Sequence, residues 1–239
     1  MDIWGKLDLD MERHRMVALV GAGGKTSTMY ALARQARDRG RTVIVTTTTH
    51  IMPHPGIFLT GETDPDRLRA LAQAHGVITA GRSDRADKLS GAAGPEICKA
   101  AADVVLVEAD GARIRPLKVP ADHEPQIPPC ADAVIAAAGM DCVGRAVGEI
   151  CHRPERVAAL LGVGLDHVLV PADVAKVLLS PQGGRKGVGE RPFRVLLNKA
   201  DDPRRADHAR EIQALLAQAG VHSAITYYTE EERGGRCWF

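Results

Sequence analysis

A glycine-rich segment followed by lysine and threonine is the part of this sequence that most directly indicates chemistry. The segment reads Gly21-Ala22-Gly23-Gly24-Lys25-Thr26-Ser27, and it lies between an apolar run and a series of helix-forming residues. Glycines let the backbone turn sharply and direct N–H groups toward an anion, and the start of a helix adds a partial positive charge. Lys25 is placed to reach the terminal phosphates, and the Thr26 hydroxyl is placed to bind Mg²⁺. The segment therefore predicts a P-loop that holds nucleotide phosphates.

The spacing inside this segment is shorter than in the common P-loop. The usual pattern G-x-x-x-x-G-K-[ST] would place its first glycine at position 19, which is Leu19, whereas the spacing here is G-x-x-G-K-T. This compact loop is similar to the G-T-N-G-K-T loop of Mur-type ligases as much as to the longer loop of small GTPases. The alternative interpretation is a glycine-rich turn between a strand and a helix that binds nothing.

Two carboxylates follow an apolar run near the middle of the chain. Glu108 and Asp110 come at the end of Val104-Val105-Leu106-Val107, and a parallel strand delivers such residues to the edge of the sheet where ligands bind. An acid in this position holds Mg²⁺ or its water opposite a P-loop. We therefore expect Lys25, Glu108 and Asp110 to be catalytic groups, and Thr26, Glu108 and Asp110 to hold Mg²⁺. The alternative is an acidic loop after a buried strand.

A third motif, Asn198-Lys199-Ala200-Asp201, follows another apolar run late in the chain. It fits the N-K-x-D pattern of GTP-binding proteins, in which the aspartate accepts hydrogen bonds from guanine and the lysine stem packs on the base. Asn198, Lys199 and Asp201 are therefore the predicted base-binding residues. The motif favours GTP, whereas the compact P-loop is equally typical of ATP-dependent ligases, so the choice between GTP and ATP stays open.

Basic residues follow the Glu108–Asp110 pair directly. Arg113, Arg115 and Lys118 lie close enough in sequence to serve an anionic second substrate or the γ-phosphate, and we predict that Arg113 and Lys118 bind such a group. The acidic Glu124 and its neighbours could act as a base, bind a metal or pair with these cations.

Two cysteines and a histidine have no role that the sequence decides. Cys142 and Cys151 lie near basic residues, but a reactive thiol needs an electropositive and partly exposed site, and buried inert cysteine is the favoured interpretation. His50 follows a run of four threonines, where a solvated loop histidine is favoured over a metal ligand.

Alternating strand-like and helix-like runs must position these motifs. The alternation predicts an α/β fold, a three-layer P-loop NTPase-like domain whose largely parallel sheet is flanked by helices. We expect a single domain over residues 1–239, with a small helical insertion at about 139–189. Predicted strands lie at 16–20, 42–47, 77–79, 103–108, 133–138, 193–197 and 223–227, and predicted helices at 26–39, 65–75, 95–102, 154–161, 171–179 and 204–219.

Composition narrows the classes of partner. The net charge of +1 and the 3% aromatic content argue against a nucleic-acid surface. No apolar run approaches the roughly 20 residues that span a bilayer, and the N-terminal residues lack a signal-peptide core, so we expect a cytoplasmic protein without a membrane partner. The five cysteines form no C-x-x-C pair, which argues against a structural zinc site or a disulfide scaffold.

Several longer segments occur in a fixed order along the chain. They are the P-loop, Thr-Thr-Thr-Thr-His, Glu-Ala-Asp-Gly-Ala-Arg, Pro-Leu-Lys-Val-Pro-Ala-Asp-His-Glu-Pro-Gln-Ile-Pro, His-Arg-Pro-Glu and Leu-Asn-Lys-Ala-Asp. From about residue 17 to 201 the chain resembles the YqeC family of accessory proteins for selenium-dependent hydroxylases. The resemblance implies a nucleotide-dependent step in the supply or insertion of a modified molybdenum cofactor, with a molybdenum hydroxylase or a molybdenum-cofactor enzyme as partner.

Two alternatives of other functional classes stay open. One is a Mur-like ATP-dependent ligase or phosphotransferase, which would need a second substrate for turnover. The other is a carrier that binds a molybdopterin-type cofactor without hydrolysing any nucleotide, since a pterin dinucleotide also offers a pyrophosphate to a P-loop.

Overall fold

Parallel strands form the centre of the structure, a computed structural model that describes residues 1–85 and 88–229. Within these residues a nine-stranded sheet has the order β11-β10-β8-β1-β6-β2-β4-β3, and β5 pairs with β4 as its antiparallel strand. A separate two-stranded sheet joins β7 and β9. The strands are β1 (Met16–Gly21), β2 (Val43–Thr47), β3 (Phe58–Thr60), β4 (Val77–Arg85), β5 (Lys88–Gly91), β6 (Val104–Glu108), β7 (Leu117–Lys118), β8 (Ala133–Gly139), β9 (Cys151–His152), β10 (Phe193–Asn198) and β11 (Ser223–Ile225).

Helices cover both faces of the main sheet. Prolines begin most of them, because proline at the first helical position has the required φ and needs no N–H partner. The third helix also shows a side-chain cap, in which Asp64 accepts hydrogen bonds from the amides of Asp66 and Arg67. The helices are α1 (Ile3–Lys6), α2 (Lys25–Asp38), α3 (Pro65–His75), α4 (Pro95–Ala101), α5 (Val147–Ile150), α6 (Pro154–Leu161), α7 (Pro171–Leu179) and α8 (Pro203–Gln218).

Side chains of the central strand β1 alternate between two apolar cores. Met16, Ala18 and Val20 face a core that also holds side chains of α3, α4, α6, α7 and α8. Val17 and Leu19 face a second core, which α1 and α2 cover. A strand that is buried on both faces is apolar at successive positions, so a continuous apolar run in the sequence predicts such a strand. The predicted three-layer α/β fold with a largely parallel sheet is confirmed.

The segment between β8 and β10 holds the predicted helical region at 139–189. A 3-10 turn (Met140–Cys142), α5, β9, α6 and α7 follow one another here, and they form the crossover between two adjacent parallel strands. Val157 and Leu161 of α6 and Val174 and Val177 of α7 are buried in the first core. These helices therefore form part of the layer on that face of the sheet.

Tertiary contacts determine some elements or their extent. The four-residue helix α1 is held by tertiary contact, since Trp4 is buried and its indole nitrogen donates to Leu32 O at 3.1 Å. The strand predicted at 77–79 extends to Arg85 because it forms a hairpin with β5. None of the described helices is long and apolar enough to cross a bilayer. Cys237 lies outside the described residues.

Candidate functional site

The P-loop lies at the carboxyl end of β1 and adopts a conformation that requires glycine. Gly21, Gly23 and Gly24 have φ values of 88°, 79° and 119°, in the left-handed region that other residues rarely enter. A Cβ atom on Gly23 would lie 2.1 Å from the backbone nitrogen of Gly139 at the end of β8. The loop therefore packs directly against a neighbouring strand, and its shape is set by that contact.

The backbone amides of the loop divide into two groups. The amides of Gly21, Ala22 and Gly23 donate to Asp110 Oδ2, Ala137 O and Arg115 O at 3.0, 2.9 and 3.0 Å. Those of residues 24 to 27 have no acceptor among the residues that the structure describes. Gly24 is the N-cap of the 14-residue helix α2 and offers no side-chain cap. Consecutive N–H groups of this kind at the start of a long helix can donate hydrogen bonds to an anion.

Lys25 begins α2 and turns its ammonium group back across the loop. The side chain is 4% exposed, and Nζ donates to Gly21 O at 2.7 Å. Nζ also lies 3.1 Å from Asp110 Oδ1 and 3.8 Å from Glu108 Oε1. Burial by itself would lower the pKa of Lys25, but the two carboxylates outweigh it and raise the pKa above the ordinary value. The group therefore stays charged at the mouth of the loop.

The two carboxylates that follow β6 lie beside the P-loop. Parallel pairing places Glu108 beside Leu19 of β1, so its carboxylate reaches Thr26, whose hydroxyl donates to Glu108 Oε2 at 2.7 Å. Burial raises the pKa of Glu108, although Lys25 and the Thr26 hydroxyl oppose this. Asp110 Oδ1 is buried and accepts no hydrogen bond from the described residues.

This arrangement fits Mg²⁺ held jointly with nucleotide phosphates. Thr26, Glu108 and Asp110 offer hydroxyl and carboxylate oxygens, which are the ligands that Mg²⁺ prefers, and Asp110 Oδ1 is a buried oxygen whose partner is the Lys25 ammonium at 3.1 Å. Within the described part of the chain, no cluster of three or more His, Cys, Asp or Glu could hold a metal by itself. Mg²⁺ typically uses one or two protein oxygens and completes its shell with phosphates and water.

A buried ion network continues from Asp110 into the irregular segment that follows β6. Lys118 Nζ is fully buried and lies 2.9 Å from Asp110 Oδ2, 2.9 Å from Glu124 Oε2 and 2.7 Å from Gly111 O. Arg153 donates to both oxygens of Glu124, at 2.6 and 3.3 Å. Burial would raise the pKa of Glu124, but the hydrogen bonds from Lys118 and Arg153 outweigh it and bring the pKa to about 2.

The two residues predicted to bind an anionic group, Lys118 and Arg113, have different surroundings in the structure. The three N–H groups of the Lys118 ammonium each have a protein acceptor here, so its role toward a substrate stays a prediction. Arg113 is exposed. Sequence reasoning missed the pairing of Arg153 with Glu124, because 29 residues separate them and only the fold brings them together.

The three predicted base-binding residues lie at the end of β10 with different surroundings. Asn198 is buried and donates through Nδ2 to Gly23 O at 2.8 Å, while its Oδ1 accepts from Thr226 at 3.1 Å. Lys199 pairs with Asp141 at 2.6 Å. Asp201 is 39% exposed and pairs with Arg205 at 2.6 Å. The motif is therefore joined to the P-loop through Asn198, and Asp201 is the member that a base could reach.

The two cysteines and the histidine whose roles the sequence did not decide differ in their surroundings. Cys142 and Cys151 are buried, and burial raises the pKa of Cys142 well above its usual range and that of Cys151 to about 12. Neither has the properties of a reactive thiol. His50 pairs with Asp84 at 2.7 Å between two partly exposed side chains.

Comparison with known proteins gives one family and one close relative. The model of a family described as YqeC protein matches residues 17–155, which include the P-loop, both strand-end carboxylates, Lys118 and Arg153. A protein of Escherichia coli (strain K12), described as uncharacterized protein YqeC, is 34% identical over 225 residues. That alignment covers 89% of this chain and 86% of the relative.

Proposed function

The chain belongs to the YqeC family, and we propose that it is a Mg²⁺-dependent nucleotide-binding protein that hydrolyses a nucleoside triphosphate. One observation carries the proposal. The amides of residues 24–27 at the start of α2, which have no acceptor among the described residues, converge at one end of β1 with the charged Lys25 and the Thr26–Glu108 contact. An anion-binding helix start, a buried ammonium and a hydroxyl–carboxylate pair are the groups that a nucleotide triphosphate with Mg²⁺ requires.

The residues of the site have separate tasks in this proposal. The free amides bind the phosphate oxygens, and Lys25 exchanges its contact with Asp110 for a phosphate oxygen. Thr26 and Glu108 hold Mg²⁺, which neutralises phosphate charge when bound. Asp110, released from Lys25, accepts a hydrogen bond from the attacking water and orients it. Its burial favours this role, because a desolvated carboxylate is a stronger hydrogen-bond acceptor.

Guanine is slightly favoured over adenine as the base. Asp201 supports this preference, because it follows β10 at the ligand edge of the sheet and remains partly exposed. Asn198 would position the motif by its bond to Gly23 O rather than contact the base. A base that reaches Asp201 has to compete with Arg205 for the carboxylate.

We further propose that the nucleotide-dependent step serves the maturation of selenium-dependent molybdenum hydroxylases. The support is the ordered set of family segments along the chain.

A second candidate function is that of a Mur-like ligase or phosphotransferase that uses ATP. The compact P-loop and the cations that follow Asp110 favour it. The two proposed functions differ in what turnover requires, since the ligase or phosphotransferase needs a second substrate in addition to the nucleotide.

Calorimetric titration with GTP, ATP and CTP in the presence of Mg²⁺ tests the proposal. We expect one nucleotide to bind, with affinity reduced at least about tenfold in Lys25→Ala, as befits the loss of a charge-assisted hydrogen bond. Lys6→Ala, an exposed lysine at the end of α1, is the matched control. Because Lys25→Ala leaves two carboxylates buried without their cation, its folding is checked by circular dichroism, and Thr26→Ala provides a second, milder variant.

The outcomes separate the alternatives. GTP hydrolysis by the protein alone supports the proposal, whereas ATP binding without turnover until a second substrate is added supports the ligase. Failure of every nucleotide to bind to the folded wild-type protein refutes the proposal.

A further inference from the structure

We propose that Arg113 and His152 form a second binding site, beside the P-loop, for an oxyanion group of the molecule on which the nucleotide acts. The inference rests on the proposed function for the role of the bound group. The ligand class is a phosphate or carboxylate group.

The turn that carries Arg113 is attached to the P-loop itself. Arg115 closes the turn by donating its amide to Ala112 O at 2.9 Å, and Arg115 O accepts the amide of Gly23 at 3.0 Å. The next carbonyl, that of Pro116, accepts the amide of Gly139 at 2.8 Å. Arg113 is therefore held two residues from a direct hydrogen bond to the loop that would bind phosphate.

The backbone of this turn is strained in a way that the surroundings must maintain. Arg113 and Ile114 have φ values of 46° and 64°, and a β-branched residue such as isoleucine is a clear outlier in the left-handed region. Ile114 is also 62% exposed, so burial of its side chain does not explain the conformation. Strain of this kind is concentrated at functional sites.

The small sheet of β7 and β9 places His152 in the same area. The two strands run parallel, and Lys118 is directly paired with His152. Paired residues of neighbouring strands have side chains on the same face, and the Lys118 side chain on that face reaches Asp110 and Glu124. His152 is therefore adjacent to the ion network that begins at the P-loop.

Charges in this area are not balanced. The Glu124 carboxylate forms ion pairs with Lys118 and Arg153. Arg113, by contrast, has no hydrogen bond or ion pair with any described residue. The charged groups that act on the neighbouring His152 are the cations Arg153, Lys118 and Arg113 and the carboxylate Glu124.

His152 is affected first by its burial and then by these charges. Burial, and after it the charges of Arg153, Lys118 and Arg113, lower the pKa of His152 to about 4, against the opposing effect of Glu124. At neutral pH the ring is uncharged and offers one N–H donor and one acceptor. It makes no hydrogen bond to the described residues. A bound oxyanion would satisfy both the free guanidinium of Arg113 and the ring N–H.

Binding of inorganic phosphate and, separately, acetate to the protein tests this site. Each is titrated with and without saturating Mg²⁺ and a non-hydrolysable nucleotide analogue, so that the P-loop is filled in one series. We expect one or both anions to bind to the nucleotide-loaded protein, and Arg113→Ala to weaken that binding by about tenfold, as for a lost charge-assisted contact. Arg13→Ala, an exposed arginine on a distant turn, should leave it unchanged.

A second readout follows His152 by NMR as pH is varied. An adjacent anion favours the charged ring, so the pKa of His152 should rise from about 4 when phosphate or acetate binds. The inference is overturned if neither anion binds to the loaded protein, if Arg113→Ala binds as well as wild type, or if the His152 titration does not move. Failure of the nucleotide itself to bind would refute the proposed function, while anion binding that depends on Arg113 would still support this site.

Discussion

Replacement of Lys118 by methionine tests how much the buried ion network stabilises the protein. The ammonium is fully buried 2.9 Å from Asp110 Oδ2 and 2.9 Å from Glu124 Oε2, and methionine fills similar space without charge. Removal of one partner from a buried ion pair costs about 3–5 kcal/mol, because the remaining charge is left uncompensated. Here Asp110 keeps Lys25 and Glu124 keeps Arg153, so we expect the lower end, about 3 kcal/mol.

Thermal unfolding gives the measurement. An unfolding entropy of about 2.1 cal/mol/K per residue amounts to about 0.5 kcal/mol/K for 239 residues, so a loss of about 3 kcal/mol lowers Tm by about 6 °C. Lys6→Met, at an exposed site, should change the free energy of unfolding by less than about 0.5 kcal/mol. A Tm for Lys118→Met within about 1 °C of wild type would refute the view that the network is stabilising.

Three further predictions concern the loop, the network and the thiols. Gly23→Ala should lower the free energy of unfolding in urea by several kcal/mol and abolish nucleotide binding, because the added Cβ collides with the end of β8. The control is Gly40→Ala, where φ is also positive at 77° but the space around the Cβ is open, and it should lower the free energy of unfolding by only about 1 kcal/mol. Stability should fall as pH drops from about 4.5 toward 2, since Glu124 has its pKa lowered to about 2 in the folded state, and Glu124→Gln should flatten this dependence. Cys142 and Cys151 should resist iodoacetamide at pH 8 in the native protein and react in urea, as followed by mass spectrometry of each peptide.

Elements with strong local signals were predictable from the sequence. The helices at 154–161 and 171–179 are found at the predicted bounds, because each begins with proline and carries apolar residues at helical spacing. The strands at 16–20 and 103–108 differ from β1 and β6 by one residue at an end, since apolar runs are the direct mark of strands buried on both faces. Their order along the chain also indicated a parallel sheet, which places both strand-end carboxylates at one edge with the glycine loop.

The pairing of charges in the site was not predictable in this way. The sequence left open whether Glu124 pairs with the cations of its own segment, and Arg153 read as a separate charged residue at a helix start. The ion pair between Arg153 and Glu124 exists because β9 lies beside β7. Asn198 reaches the P-loop across 175 residues of sequence through the adjacency of β8, β1 and β10.

Local sequence therefore determined which segments form strands, helices and the glycine loop, because φ preferences, proline positions and apolar periodicity act over a few residues. The tertiary structure alone decided which cation meets which carboxylate, and which arginine has no counter-ion among the residues that the structure describes. The physical reason is that hydrogen bonds and buried ion pairs form only at distances near 3 Å. The order of the strands in the sheet sets those distances, and the spacing of residues in the sequence does not encode that order.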